Sequence, residues 1–154
     1  MTTLVYQAKG ALITRLTALA QPAQPLAGIQ VAYAFPGFAG LRLDCVYGGG
    51  VRFSHEDAVA ERGVLISEMS LVSLYIRVTR KPSVPVEETD ARAAVIFGQI
   101  AGQLVAQPHL AGPMSFAGIA QGQGDYEILP DNSQSASILA VQVRVETDLS
   151  YGAG

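Results

Sequence analysis

The sequence predicts an α+β fold: a single, largely antiparallel (mixed) sheet with two helices packed on one face, in the order α-β-β-β-α-β-β, with a long β-hairpin arm. Three observations predict it. Residues 4–19 and 86–106 carry apolar side chains at helical spacing, while several intervening and following stretches alternate with period two. One of these, 64–80, alternates far beyond the usual strand of about 5–6 residues. A chain of 154 residues suits one domain spanning 1–154.

Taken in order, Val5, Leu12, Leu16 and Leu19, with Ala8 and Ala18, form the apolar stripe of a first helix. Pro22 and Pro25 stop it, because a proline ring removes a donor and pushes the preceding residue out of helical space. Residues 29–34 alternate, are rich in β-branched and aromatic side chains, and end at Pro36-Gly37, so they read as a short strand. Leu41, Leu43, Cys45 and Tyr47 alternate with Arg42, Asp44 and Val46 as a second strand, which Gly48-Gly49-Gly50 is expected to end or bend.

Val64, Ile66, Val72, Leu74, Ile76 and Val78 share one face of the long third strand. At about 3.3 Å per residue it would span roughly 56 Å. Either a bulge near Glu68-Met69-Ser70 turns it across the sheet, or its first half projects as a hairpin arm that a neighbour covers. Residues 48–63 would then be the hairpin tip or a loop, with Ser54 and Asp57 able to cap a one-turn helix.

Pro82 and Pro85 break the strand, and Glu87, Glu88 and Asp90 open a second helix with negative charge where the macrodipole favours it. Val86, Ala93, Ala94, Phe97, Ile100, Ala101, Leu104 and Val105 supply its apolar stripe, and Pro108 ends it. Gly98 and Gly102 would suit close packing of a strand against the helix. Residues 115–129 read as a strand bulged around Gly118, Gly122 and Gly124, followed by the turn Pro130-Asp131-Asn132. Residues 138–146, with Leu139, Val141, Val143 and Val145 alternating, form the closing strand, and 149–154 a flexible C-terminal tail.

Composition excludes some functions. Apolar residues make up 49% and charged ones 15%, against a usual charged fraction of about 25%, so little of the surface is built to face water. That favours oligomerisation. Ten basic residues against thirteen acidic ones, a formal charge of −3, disfavour binding to nucleic-acid phosphates. No stretch approaches the roughly 20 apolar residues of a membrane span, and Met1-Thr2-Thr3 begins no secretory signal. A single cysteine, Cys45, forms no internal disulfide and reads as a small core residue.

No catalytic, metal or cofactor set emerges. His55 has Glu56 and Asp57 beside it, but sequence neighbours rarely converge on one proton, and His109 reads as a loop residue. The glycines at 48–50 lack the lysine and hydroxyl of a phosphate cradle. Asp125, Glu127 and Asp131 lack the spacing of a calcium loop, and Arg77, Arg80 and Lys81 read as a paired or solvated strand end. The expected functional residues are therefore those of an interface: Val51, Phe53, Val64, Leu65 and Met69, the apolar side chains of an arm that one subunit cannot cover. A small enzyme or ligand-binding domain is the competing class, and it would use Asp44, His55 and Glu68.

In its order of elements the chain resembles the tail terminator proteins of long-tailed phages of the lambda type. The resemblance rests on the helix ending near Leu19, the long strand ending in Tyr75-Ile76-Arg77-Val78-Thr79-Arg80, the Pro85-Val86-Glu87-Glu88-Thr89-Asp90 helix start and the strand from Ile138 to Glu146. It implies a hexameric ring in the virion, at the head-proximal end of the tail and assembled in the host cytoplasm. Such a ring caps the tail tube, stops its polymerisation, and presents a surface to the head-side connector protein. It carries no cofactor and no catalytic residue. DNA would pass through it without specific binding, since six copies at −3 repel phosphate. Another neck or tail ring, a head completion protein or the tail tube subunit, is the alternative. The glycine-rich 48–50 and 118–124 segments and the Ser-Tyr-Gly-Ala-Gly end depart from the pattern.

Overall fold

The computed structural model describes residues 3–60, 63–110, 114–129 and 132–150, without the side chains of 57–66, 115 and 150. It has the predicted order: α1 (Val5–Leu19), β1 (Gln30–Ala32), β2 (Asp44–Ala60), β3 (Gly63–Arg80), α2 (Val86–Ala106), β4 (Met114–Ile128) and β5 (Ser135–Ser150), with a 3-10 turn at Phe38–Gly40. The strands form one mixed sheet in the order β1-β2-β3-β5-β4, parallel at β1/β2 and antiparallel elsewhere.

Both helices lie on one face. Ala8, Leu12, Leu16 and Leu19 of α1 and Ala93, Ile96, Ile100 and Leu104 of α2 join Val46, Val72, Leu74, Ile76, Val78, Val141, Val143 and Val145 in a single apolar cluster. Each fully buried aliphatic side chain there contributes about 1.5–3 kcal/mol. α1 lies over β1 and β2, and α2 over β3, β5 and β4. The apolar stripe of α2 is shifted from the expected one: Ile96 is buried, whereas Ala94 and Val105 face outward.

β2 is where the structure departs most from expectation. Residues 48–60 are neither a loop nor a one-turn helix; they continue β2, with Ser54 opposite Met69 and Asp57 opposite Ile66. Residues 61 and 62, between the strands, lie outside the described residues. The only register shift along β2/β3 falls between Gly48 and Val51, and β3 itself runs unbroken past Glu68-Met69-Ser70. The bulge is therefore in the glycine run, not in β3. It is possible there because a Cβ on Gly48 would sit 2.4 Å from the Tyr33 carbonyl oxygen and one on Gly49 2.4 Å from the Tyr75 ring. The slip of one residue moves the odd positions Val51, Phe53 and His55 onto the helix-covered face, which the even position Val46 occupies below it.

The hairpin is not a lone two-stranded arm. β5 accompanies β3 from Arg80 opposite Ser135 to Leu65 opposite Ser150, so Leu149 and Ser150 belong to a strand and not to a tail; residues 151–154 lie outside the described residues. The remaining elements shift at their ends. Leu41 and Leu43 precede β2, β1 is three residues long, and β4 bulges beside Ser115 and Ala120 rather than at its glycines. A Cβ on Gly98 or Gly102 would meet nothing within 4 Å, so no strand packs against α2 there. Of the expected turn, Pro130 and Asp131 lie outside the described residues, and Asn132 adopts φ 55°.

Candidate interaction surface

The polar residues singled out in the sequence are used to fasten elements together. Asp44, at the start of β2, accepts from Arg80 at 2.8 Å and from Arg92 of α2 at 3.0 Å. Burial raises the Asp44 pKa, but the two guanidinium groups outweigh it and hold the carboxyl below its usual range. Arg77 is buried on the uncovered sheet face against Phe35 and Phe38, and pairs with Glu127 at 3.1 Å. Arg80 and Arg77 thus both meet carboxylates, as expected of a paired strand end. Cys45 is fully buried, and burial pushes its thiol up to about 11.

His55 and Glu68 do meet. They face each other across the hairpin, Nε2 to Oε2 at 2.6 Å, and Glu68 is completely buried. Its other oxygen accepts the Leu4 N–H at 2.8 Å. α1 has no side-chain cap of its own at Leu4. Glu68 therefore supplies the acceptor that the first N–H of α1 lacks, pinning α1 to the hairpin. Asp44, the third residue of the competing enzyme reading, lies far along β2 from this pair, opposite Val78 rather than Glu68. Among the described residues no group of three His, Cys, Asp or Glu side chains could hold a metal ion, and no helix is long and apolar enough to cross a membrane.

The expected interface residues divide between faces. Val51 packs against the core, and Phe53, on the same face, is 52% exposed beside His55. Met69 points to the opposite, uncovered face, half-buried against Arg144. The side chains of Val64 and Leu65 lie outside the described residues.

Sequence reasoning missed the two lateral edges of the sheet. On the β1 side, Tyr33 and Leu43 are exposed, and Phe35 and Phe38, also exposed, extend from there over Arg77 on the uncovered face. Phe35 contacts Phe38 and Tyr47, and Tyr47 stacks on Tyr75, each with centroids 5.2 Å apart. The Lys9 amine lies 4.1 Å from the centre of the Tyr33 ring, and burial lowers its pKa. On the β4 side, Val105, Phe116, Tyr126 and Ile128 are exposed. An open groove of about 470 Å³ lies there between α2 and the lower half of β4. The density of aromatic residues in 33–38 was the available signal for the first edge.

No family model and no curated protein matches the chain. Among solved structures it is similar to a chain in the virion of a native gene transfer agent (GTA) particle, with 16% identity and a TM-score of 0.50 over 94% of this chain and 99% of that one. At that identity the likeness shows the fold, and it does so from end to end of both chains.

Proposed function

We propose that this chain is a structural virion protein, a tail terminator whose subunits close into a ring on the end of the tail tube. The ring stops tube growth and gives the head-side connector its docking surface. The observation that carries this reading is the near-complete overlap of the fold with a virion component of a gene transfer agent particle, taken together with the resemblance in order of elements to tail terminators. Support also comes from the low charged fraction and from the two apolar edges on opposite sides of one sheet, an arrangement suited to head-to-tail contact. In this reading the protein is not an enzyme, and the ring, of six subunits, sits at the head-proximal end of the tail.

Tail assembly with and without the protein tests it. With the protein, tubes should stop at one length and join heads; without it they should overgrow and fail to join. Tubes of normal length in its absence would refute the terminator role, and polymerisation of the protein itself into tubes would identify it as the tube subunit.

A further inference from the structure

We propose that the two lateral edges of the sheet bind each other between copies: the β1 edge of one subunit adds antiparallel to the lower half of β4 of the next, filling the groove between β4 and α2. This rests on the ring reading above and specifies its contact.

The backbone makes the fit. β4 is a terminal strand of the sheet. The N–H of Ala117 is taken by the Pro108 carbonyl at 2.8 Å, but from Ile119 to Ile128 the outer edge of β4 has no strand partner among the described residues. Natural sheets guard such edges with lysine or proline. Residues 119–128 contain neither, and their only charges are Asp125 and Glu127. At the other end of the sheet, β1 pairs only with β2 among the described residues, so its outer edge likewise has no strand partner there.

The two edges also share rows. Val31 lies opposite Val46, Val46 opposite Ile76, Ile76 opposite Leu139 and Leu139 opposite Gly124, an unbroken line across five strands. β1 and β4 run in opposite directions, so a rotation that keeps subunits at one height brings β1 of a neighbour to β4 in antiparallel sense. The helix-covered faces remain on the same side. A Cβ on Gly124 would meet nothing within 4 Å, which leaves space for the neighbour's Val31 and Tyr33 over the groove floor.

Charge selects the same pairing. The β1 edge carries one exposed cation, Arg42, whose backbone N–H is held by the Gln30 side chain at 2.8 Å. It has no carboxylate partner among the described residues. The groove at β4 is bordered by Asp90 and Asp125, and Gln30 shares its row of the sheet with Asp125. A second copy therefore supplies strand, apolar side chains and opposite charge together.

The test uses the full chain at tens of micromolar, alone and with tail tubes. A Val31→Cys/Gly124→Cys double variant, oxidised and run on a non-reducing gel, should give a ladder of covalent multimers, because each subunit offers both halves of a head-to-tail contact. Each single variant should give none; buried Cys45 does not compete. Arg42→Glu and Asp125→Arg should each weaken assembly about tenfold, and the two combined should regain most of it. A ring that forms without the ladder, with Arg42→Glu assembling like wild type, overturns this interface and leaves the ring reading standing. A protein that stays monomeric in both conditions overturns both.

Discussion

Alanine substitutions along Gly48-Gly49-Gly50 separate a required bulge from a tolerated one. At Gly48 an added Cβ would lie 2.4 Å from the Tyr33 carbonyl oxygen and 2.6 Å from Cε of Lys9. The oxygen belongs to backbone, so the strand or β1 must move, and overpacking of this kind costs about 1–3 kcal/mol. At Gly49 the obstacle is the Tyr75 ring edge at 2.4 Å, with the Ser73 Cβ at 3.2 Å. That ring can swing only by disturbing its stack on Tyr47, so about 1 kcal/mol is expected. At Gly50 nothing lies within 4 Å. Alanine there should be neutral or stabilise by up to about 1 kcal/mol, since glycine weakens a strand interior. Denaturant midpoints at constant slope would measure the order, with Gly48→Ala lowering the melting temperature by about 4–8 °C if its penalty is about 2 kcal/mol. If Gly50→Ala destabilised as much as Gly48→Ala, close approach would not be the reason for the glycine run, and the account of the bulge would fail.

Three further outcomes follow from the charged and buried groups. The Asp44 carboxyl titrates below its unfolded value of 3.8, so its contribution to stability is complete above that value and is lost as pH falls through the lower folded one. Asp44→Asn should flatten the acid limb of a stability profile. Lys9 has a folded pKa below 10.5, so the unfolded chain binds the extra proton and stability rises with pH between the two values. Lys9→Met should remove that rise and leave the protein at least as stable near neutrality. The Cys45 thiol, buried and pushed up to about 11, should react with iodoacetamide at pH 8 only through unfolding; labelling in the native state as fast as a free thiol would contradict its placement.

The fold class was legible because the strong periodic signals sit where packing is simplest. Leu74, Ile76, Val78, Val141, Val143 and Val145 alternate in sequence and share one covered face in the structure. The helix start at Val86 and the end at Ala106 were readable from flanking prolines and first-turn acids. Boundaries failed where tertiary context overrides local pattern. Leu41 and Leu43 alternate with polar residues yet precede the strand, whereas the glycine run, expected to end or bend β2, bends it: the strand continues past it with a one-residue shift against β3. Glu68 in an alternating strand gives no hint that it serves a helix sixty-four residues away. The His55–Glu68 contact was nonetheless accessible: a tight hairpin about residues 61–62 places those two opposite each other. The edges of the sheet were not, because which strand ends a sheet is a property of topology.

Mass measurement of the purified protein, alone and on tail tubes, tests the central claim most directly. The account predicts a closed ring of about 97 kDa, six times 16.2 kDa, bound once at the head-proximal tube end. A 16.2 kDa monomer under both conditions, or an open polymer that grows with concentration, would contradict it.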